Sequence, residues 1–125
     1  MPGRLDGTSV LVVEDEFLIL IDLEFLLESE GARLTTATSL EEAISAARST
    51  YDVAVLDVRL PDGEVYPAAE MLNQREVPLV FHSGHAHNDA IDEAFPEAIA
   101  LEKPAQEAVL LSAVERQLAG RRATE

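Results

Sequence analysis

The chain has 125 residues, 47% of them hydrophobic, which sets the scale of one domain with one sizeable core. It contains no cysteine, so disulfide staples, zinc–thiolate sites and thiol nucleophiles are all excluded. Acidic residues outnumber Lys plus Arg by 24 to 9, and the formal charge of −15 argues against direct contact with nucleic acid or anionic lipid.

The chain reads as a single domain over residues 1–125, with a core from about 8 to 120, flexible ends and no output domain. Its opening, "MPGRLDGTS", has no apolar stretch suited to secretion, and no later run reaches transmembrane length. A cytoplasmic protein without membrane insertion is expected.

Ser9 to Asp15, "SVLVVED", predicts a β-branched strand that ends in two acids, Glu14 and Asp15. Phe17 to Gly31 then repeats apolar residues at helical spacing and stops at a glycine. On a helical wheel Ile19, Leu23, Leu26 and Leu27 form one apolar face, while Leu18, Ile21 and Phe25 recur nearly opposite. A helix lying on a sheet buries one face. The second stripe is therefore a partner surface, a homodimer contact, or a patch that neighbouring helices cover.

"ARLTTATS" is a weak alternating strand. Ser39 followed by Glu42 three residues later is a capping box that opens the next helix. "YDVAVLDV" predicts a third strand with Asp57 at its end. "YPAAEMLNQRE" is a helix with Pro67 in its first turn, and "VPLVFHSG" a fourth strand ending in Ser83 and Gly84. "NDAIDEAF" makes at most a short helix before Pro96. "EAIALEKP" is the fifth strand and delivers Lys103 and Pro104. "AQEAVLLSAVERQLAG" is the last helix, predicted to end at Gly120 and leave "RRATE" as a frayed tail.

Five strand–helix repeats predict an α/β fold, a doubly wound, five-stranded parallel sheet with helices on both faces. Ligands of such sheets sit beyond the carboxyl ends of the strands. Glu14, Asp15, Asp57, Ser83 and Lys103 all fall at that edge. Taken singly, Asp57 is a turn former and the Glu14–Asp15 pair suits a helix N-terminus. Taken together, three carboxylates at one edge repel one another unless a cation sits among them. Oxygen ligands without cysteine favour a hard divalent ion such as Mg²⁺. Lys103 is a compact charge suited to phosphate and Ser83 a hydroxyl donor, so the set suits phosphoryl transfer to a carboxylate.

These residues, in "VLVVED", "VAVLDVRLP", "HSG" and "EKP", resemble the receiver domain of two-component response regulators over essentially the whole chain. The resemblance implies strand order 2-1-3-4-5 in a flavodoxin-like fold. It implies phosphorylation of Asp57 by a histidine kinase or phosphotransfer protein, and Mg²⁺ held by Asp15, Asp57 and the backbone carbonyl of Arg59, with Glu14 acting through water. It further implies that Lys103 pairs with the phosphoryl group, that Ser83 and Gly84 form the switch region, and that the Lys103–Pro104 peptide is cis. Kinase docking through the first helix follows from the same likeness.

Within that family "VPLVFHSGHA" and "DGEVYPAAEML" are similar to a stand-alone subgroup whose fourth strand reads Pro-Phe-x-Phe-Ala-Thr-Gly-Tyr. Ser83 replaces its Thr, His85 its Tyr, and Ala105 the Phe usual after Lys-Pro. Arg59 and His85 occupy positions expected to tune phosphoaspartate lifetime, or else line a solvated rim. Many receivers carry an aromatic three residues before the lysine; here Ala100 stands there. Coupling to an output surface must then run another way, or the protein mainly carries phosphate. The leading expectation is a phosphoacceptor that signals or relays through protein partners, a downstream target among them. Its only chemistry would be its own phosphorylation and dephosphorylation. The alternative is a receiver-fold binding module that works without phosphate.

Overall fold

The computed structural model describes residues 3–84 and 89–124. Five parallel strands form one sheet: β1 (Ser9–Val13), β2 (Arg33–Ala37), β3 (Val53–Leu56), β6 (Leu79–Ser83) and β7 (Ile99–Glu102). A two-stranded antiparallel hairpin, β4 (Arg59–Leu60) with β5 (Gly63–Glu64), lies in the loop after β3. The sheet order is β2-β1-β3-β6-β7, the expected 2-1-3-4-5 once the hairpin is set aside.

Helices α1 (Phe17–Ser29) and α5 (Glu107–Thr124) pack on one face of the sheet. Helices α2 (Leu40–Ala46), α3 (Tyr66–Gln74) and α4 (Asp89–Ala94) pack on the other. Strand alternation divides the core accordingly. Leu11, Val13, Ala54, Leu56, Leu79 and Phe81 point to the α2–α4 side. Val10, Val12, Val53, Val55 and Val80 point to the α1–α5 side.

The local signals act as the residues dictate. Gly31 takes a φ of 95°, which a side chain resists, and ends α1 there. Ser39 accepts from the Glu42 N–H at 3.1 Å, while Glu42 reaches back to the Thr38 N–H at 2.8 Å, one residue earlier than a standard capping box. Asp62, from the hairpin loop, takes the Leu40 and Glu41 N–H groups at 2.7 and 3.0 Å and completes that cap. Pro67 enters the first turn of α3.

Two ends differ from the sequence reading. Helix α5 does not stop at Gly120 but continues to Thr124. Gly120 has no positive φ, and a single glycine inside a helix costs only about 1 kcal/mol. Packing also begins before residue 8: Leu5 is fully buried against α1 and α5, its N–H bonded to the Glu30 carbonyl at 2.8 Å, and Arg4 pairs with Glu115.

Candidate functional site

Strand register builds the site. Val13 of β1 lies beside Leu56 of β3, so the next residues on these neighbouring strands are Glu14 and Asp57. The ladder continues one step past both strands, with the Glu14 N–H on the Ala37 carbonyl at 3.0 Å and the Asp57 N–H on the Val13 carbonyl at 2.9 Å. Ser83 lies beside Glu102, and the Lys103 N–H closes on the Ser83 carbonyl at 2.9 Å. Each acid and the lysine is thus the first residue released by a rigid strand.

Lys103 Nζ donates to Glu14 Oε1 at 2.7 Å and Oε2 at 3.0 Å, and to Asp57 Oδ2 at 2.9 Å. A third acid, Glu16, stands 3.7 Å away. Glu14 is 1% exposed and Asp57 6%, so one ammonium serves two desolvated carboxyl groups. Burial, with Asp57 beside it, drives the Glu14 carboxyl up to about 8 despite the lysine. Burial and the same neighbour raise Asp15. For Lys103, burial works against the charge, but hydrogen bonds to Glu14 and Asp57 outweigh it and the net shift is upward.

Ligand oxygens of Glu14, Asp15 and Asp57 all lie within 4.8 Å of one another. An oxygen-only set of this size, two of its members pushed toward protonation, fits a hard divalent cation that would relieve the repulsion. Arg59 follows two residues after Asp57, in β4, with its side chain exposed. Ser83 is buried, Gly84 is exposed with open space around its Cα, and the Lys103–Pro104 peptide is cis as anticipated. His85 lies outside the described residues.

The second stripe on α1 is solvent-exposed. Leu18 and Phe25 are each 76% exposed, and Phe17 and Ile21 accompany them. Leu20, absent from the core face read on the wheel, is buried with Leu23 and Leu27. Neighbouring helices therefore do not cover Leu18, Ile21 and Phe25.

Two contributors escaped the sequence reading. Glu16 was visible as the last acid of "EDE" but had no strand end to place it. Asp62 reads as a turn residue, and nothing local shows that it caps a helix 22 residues away. His82, which strand alternation turns inward, is buried, and its alternation with Val80 sets it on the α1–α5 side. There it lines a cleft of about 360 Å³ between α1 and α5, with Ile19, Leu26, Lys103, Ala105 and Leu110.

A family model described as the response regulator receiver domain matches residues 10–115. The response regulator SaeR of Staphylococcus aureus (strain USA300) is 32% identical over 74 residues, covering 59% of this chain and 32% of SaeR. The chain thus spans about a third of the length of the curated relatives it matches. Among solved structures, a response regulator receiver protein from Sinorhizobium medicae WSM419 superposes with a TM-score of 0.84 at 29% identity, covering 94% of this chain and 99% of that one. The receiver domain of the sensor histidine kinase PA1611 from Pseudomonas aeruginosa PAO1 gives 0.76 at 28% identity, covering 90% and 98%. That receiver is described with a magnesium ion coordinated in its active-site cleft.

Proposed function

The chain belongs to the response regulator receiver domain family of two-component systems, and from that premise we propose that it accepts a phosphoryl group on Asp57 from a histidine kinase or phosphotransfer protein. The observation that carries this reading is the Lys103 ammonium held between Glu14 and Asp57 at the ends of three strands. A carboxylate oxygen of Asp57 attacks phosphorus, the phosphorus–nitrogen bond to the donor histidine breaks, and the imidazole leaves with the electron pair. Lys103, already bonded to Asp57 Oδ2, is placed to turn its charge onto the incoming phosphoryl oxygens.

Asp15, Asp57 and the Arg59 carbonyl would hold Mg²⁺, with Glu14 acting through water; the ion supplies charge neutralisation for the phosphoryl oxygens. Ser83 and Gly84 respond to the new group. The chain acts on no other substrate. It works in the cytoplasm, as a relay or signal read by protein partners.

The phosphodonor's docking surface is the exposed face of α1, which begins directly after Glu16. Phe17, Leu18, Ile21 and Phe25 are rimmed by exposed Glu16, Asp22 and Glu28, and α1 contains no Lys or Arg. Such a rim favours a partner that surrounds an apolar ridge with basic residues, and disfavours a second copy whose acids would face these.

Ala100, in register with Phe81 where an aromatic would couple the switch to an output face, favours the second reading, a module that binds without phosphate. One experiment separates the two. The purified chain is incubated with Mg²⁺ and acetyl phosphate, then with a panel of phosphorylated kinases, and its intact mass recorded beside Asp57→Asn. A Mg²⁺-dependent gain of one phosphoryl group, absent from the variant, is expected. No gain from any donor selects the phosphate-independent module.

A further inference from the structure

His82 is a costly residue in a costly place. It is 6% exposed, and among the described residues its Nδ1 has no hydrogen-bond partner. An imidazole buried with one nitrogen unsatisfied needs a reason beyond packing, which a small apolar residue would serve better. Its Nε2 accepts from the Ala105 N–H at 3.4 Å. That bond assigns the ring proton to Nδ1 and requires the neutral form. Burial, reinforced by the charge of Lys103, lowers the His82 pKa and keeps that lone pair available.

The acceptor's location gives the reason. Pro104 has no N–H, so the donors flanking it belong to Lys103 and Ala105. Both are taken by consecutive residues at the end of β6: Ser83 offers its carbonyl to Lys103 at 2.9 Å, and His82 its ring to Ala105. The three-residue segment that carries the functional ammonium is gripped on both sides of its proline by one rigid strand. Ala105, a small residue, leaves the cleft between α1 and α5 open beside this grip.

We propose that His82 is a positioning residue for phosphoryl transfer: its neutral ring anchors Ala105, and with the Ser83 carbonyl it fixes the Lys103–Ala105 segment so that Lys103 Nζ meets Glu14 and Asp57. The inference rests on Asp57 being the acceptor. At 3.4 Å the bond has room to shorten, and it tightens when Lys103 engages the phosphoryl group.

The test uses His82→Leu, which keeps apolar volume and removes the acceptor, and His82→Gln, whose amide oxygen reaches the Nε2 position. Phosphorylation of Asp57 by acetyl phosphate is measured at saturating Mg²⁺, per folded molecule, with hydrogen exchange at the Ala105 amide measured in parallel. His82→Leu is expected to slow phosphorylation by about tenfold, the scale of lost support behind a functional group, and His82→Gln to recover most of it. Ala105 exchange rises in the Leu variant and returns toward the parent in the Gln variant. Equal rates in Leu and parent, or a Gln variant no faster than Leu, overturn the proposal even if stability falls, because packing alone does not distinguish the two side chains this way. If Leu does not fold, the Gln-versus-parent comparison decides alone, and a Gln variant slowed tenfold overturns it. If the parent takes no phosphoryl group, the acceptor reading fails separately, and unchanged Ala105 exchange in the Leu variant overturns the anchoring role on its own.

Discussion

The two faces of the sheet are packed from different materials. The α2–α4 side sets aromatic rings against alanines: Phe81, Phe95 and Tyr51 lie among Ala43, Ala47, Ala68 and Ala69, all buried. The hydrophobic cluster on the α1–α5 side is aliphatic, built from Val and Leu with Ala32 and Ala113, and the buried His82 ring stands beside it at the cleft. Outward, the contrast reverses. Among the described residues, every exposed large apolar side chain, Phe17, Leu18, Ile21, Phe25 and Val109, sits on α1 or α5. One side uses its large apolar groups to hold itself together, and the other has groups left over for something else. The acidic edge, with its single bridging lysine, belongs to both.

Breaking the self-sufficient side should have the largest effect. Phe81 is fully buried, in register with Ala100, with its ring 5.4 Å from that of Phe95. Phe81→Ala should lower unfolding free energy by about 3–5 kcal/mol in urea titrations, since no neighbour can collapse into the space without leaving the sheet. A loss below about 1 kcal/mol would mean this face is not packed as tightly as its burial indicates.

The shared edge comes next and is read through pH. The Glu14 carboxyl is raised to about 8 in the fold, above its unfolded value, so the protonated acid is favoured by folding. Its stabilising contribution is fully present below about pH 4.5 and is lost as pH rises through about 8. In EDTA the melting temperature should therefore fall across that window. Lys103 is raised above an already high value, so its own loss lies at more alkaline pH and does not mask the slope. Added Mg²⁺, or Glu14→Gln, should flatten the curve. An unchanged slope in Glu14→Gln assigns the titration elsewhere.

Asp62 gives a smaller effect. It holds the loop after β3 to the N-terminus of α2, and two backbone N–H bonds lower its pKa. Asp62→Ala should reduce the melting temperature by a few degrees, as loss of a helix cap does. A thermal scan that shows no change removes the cap from the account. A depressed pKa also fixes the sign: the contribution is present at neutral pH and fades only as acid protonates the carboxylate.

How much of this was legible follows from how far each signal reaches along the chain. The order of the strands followed only from the resemblance to receiver domains, whereas strand periodicity and the turn residues between strands were enough for the parallel sheet and for the edge shared by Glu14, Asp57 and Lys103, because a strand-end position is a local property. The opposed stripes on α1 were legible for the same reason. Contacts across sequence were not: Asp62 on α2, and His82 against Ala105, depend on loops whose paths no local pattern dictates. Leu5 was missed because a single leucine among polar residues carries no periodicity, and α5 ran past Gly120 because a lone glycine weakens a helix without ending it.

The smallest effect on stability is also the one that most sharpens the contrast between the faces. Phe25 is 76% exposed on α1, so Phe25→Glu should change unfolding free energy by no more than about 0.5 kcal/mol. Phosphorylation by acetyl phosphate, which needs only the acidic edge, should be unaffected. Transfer from a protein donor should drop by at least about tenfold, because a new carboxylate would stand where the partner's apolar ridge is desolvated, next to acids already at Glu16, Asp22 and Glu28. A destabilisation above about 1 kcal/mol would show that the stripe serves the fold, and the two faces would then differ only in composition. Undiminished transfer would put the donor's contact elsewhere and leave the apolar stripe of α1 without its assigned occupant. The outcome that supports the docking surface is therefore a split one: same stability, same small-donor rate, and a protein-donor rate that falls alone.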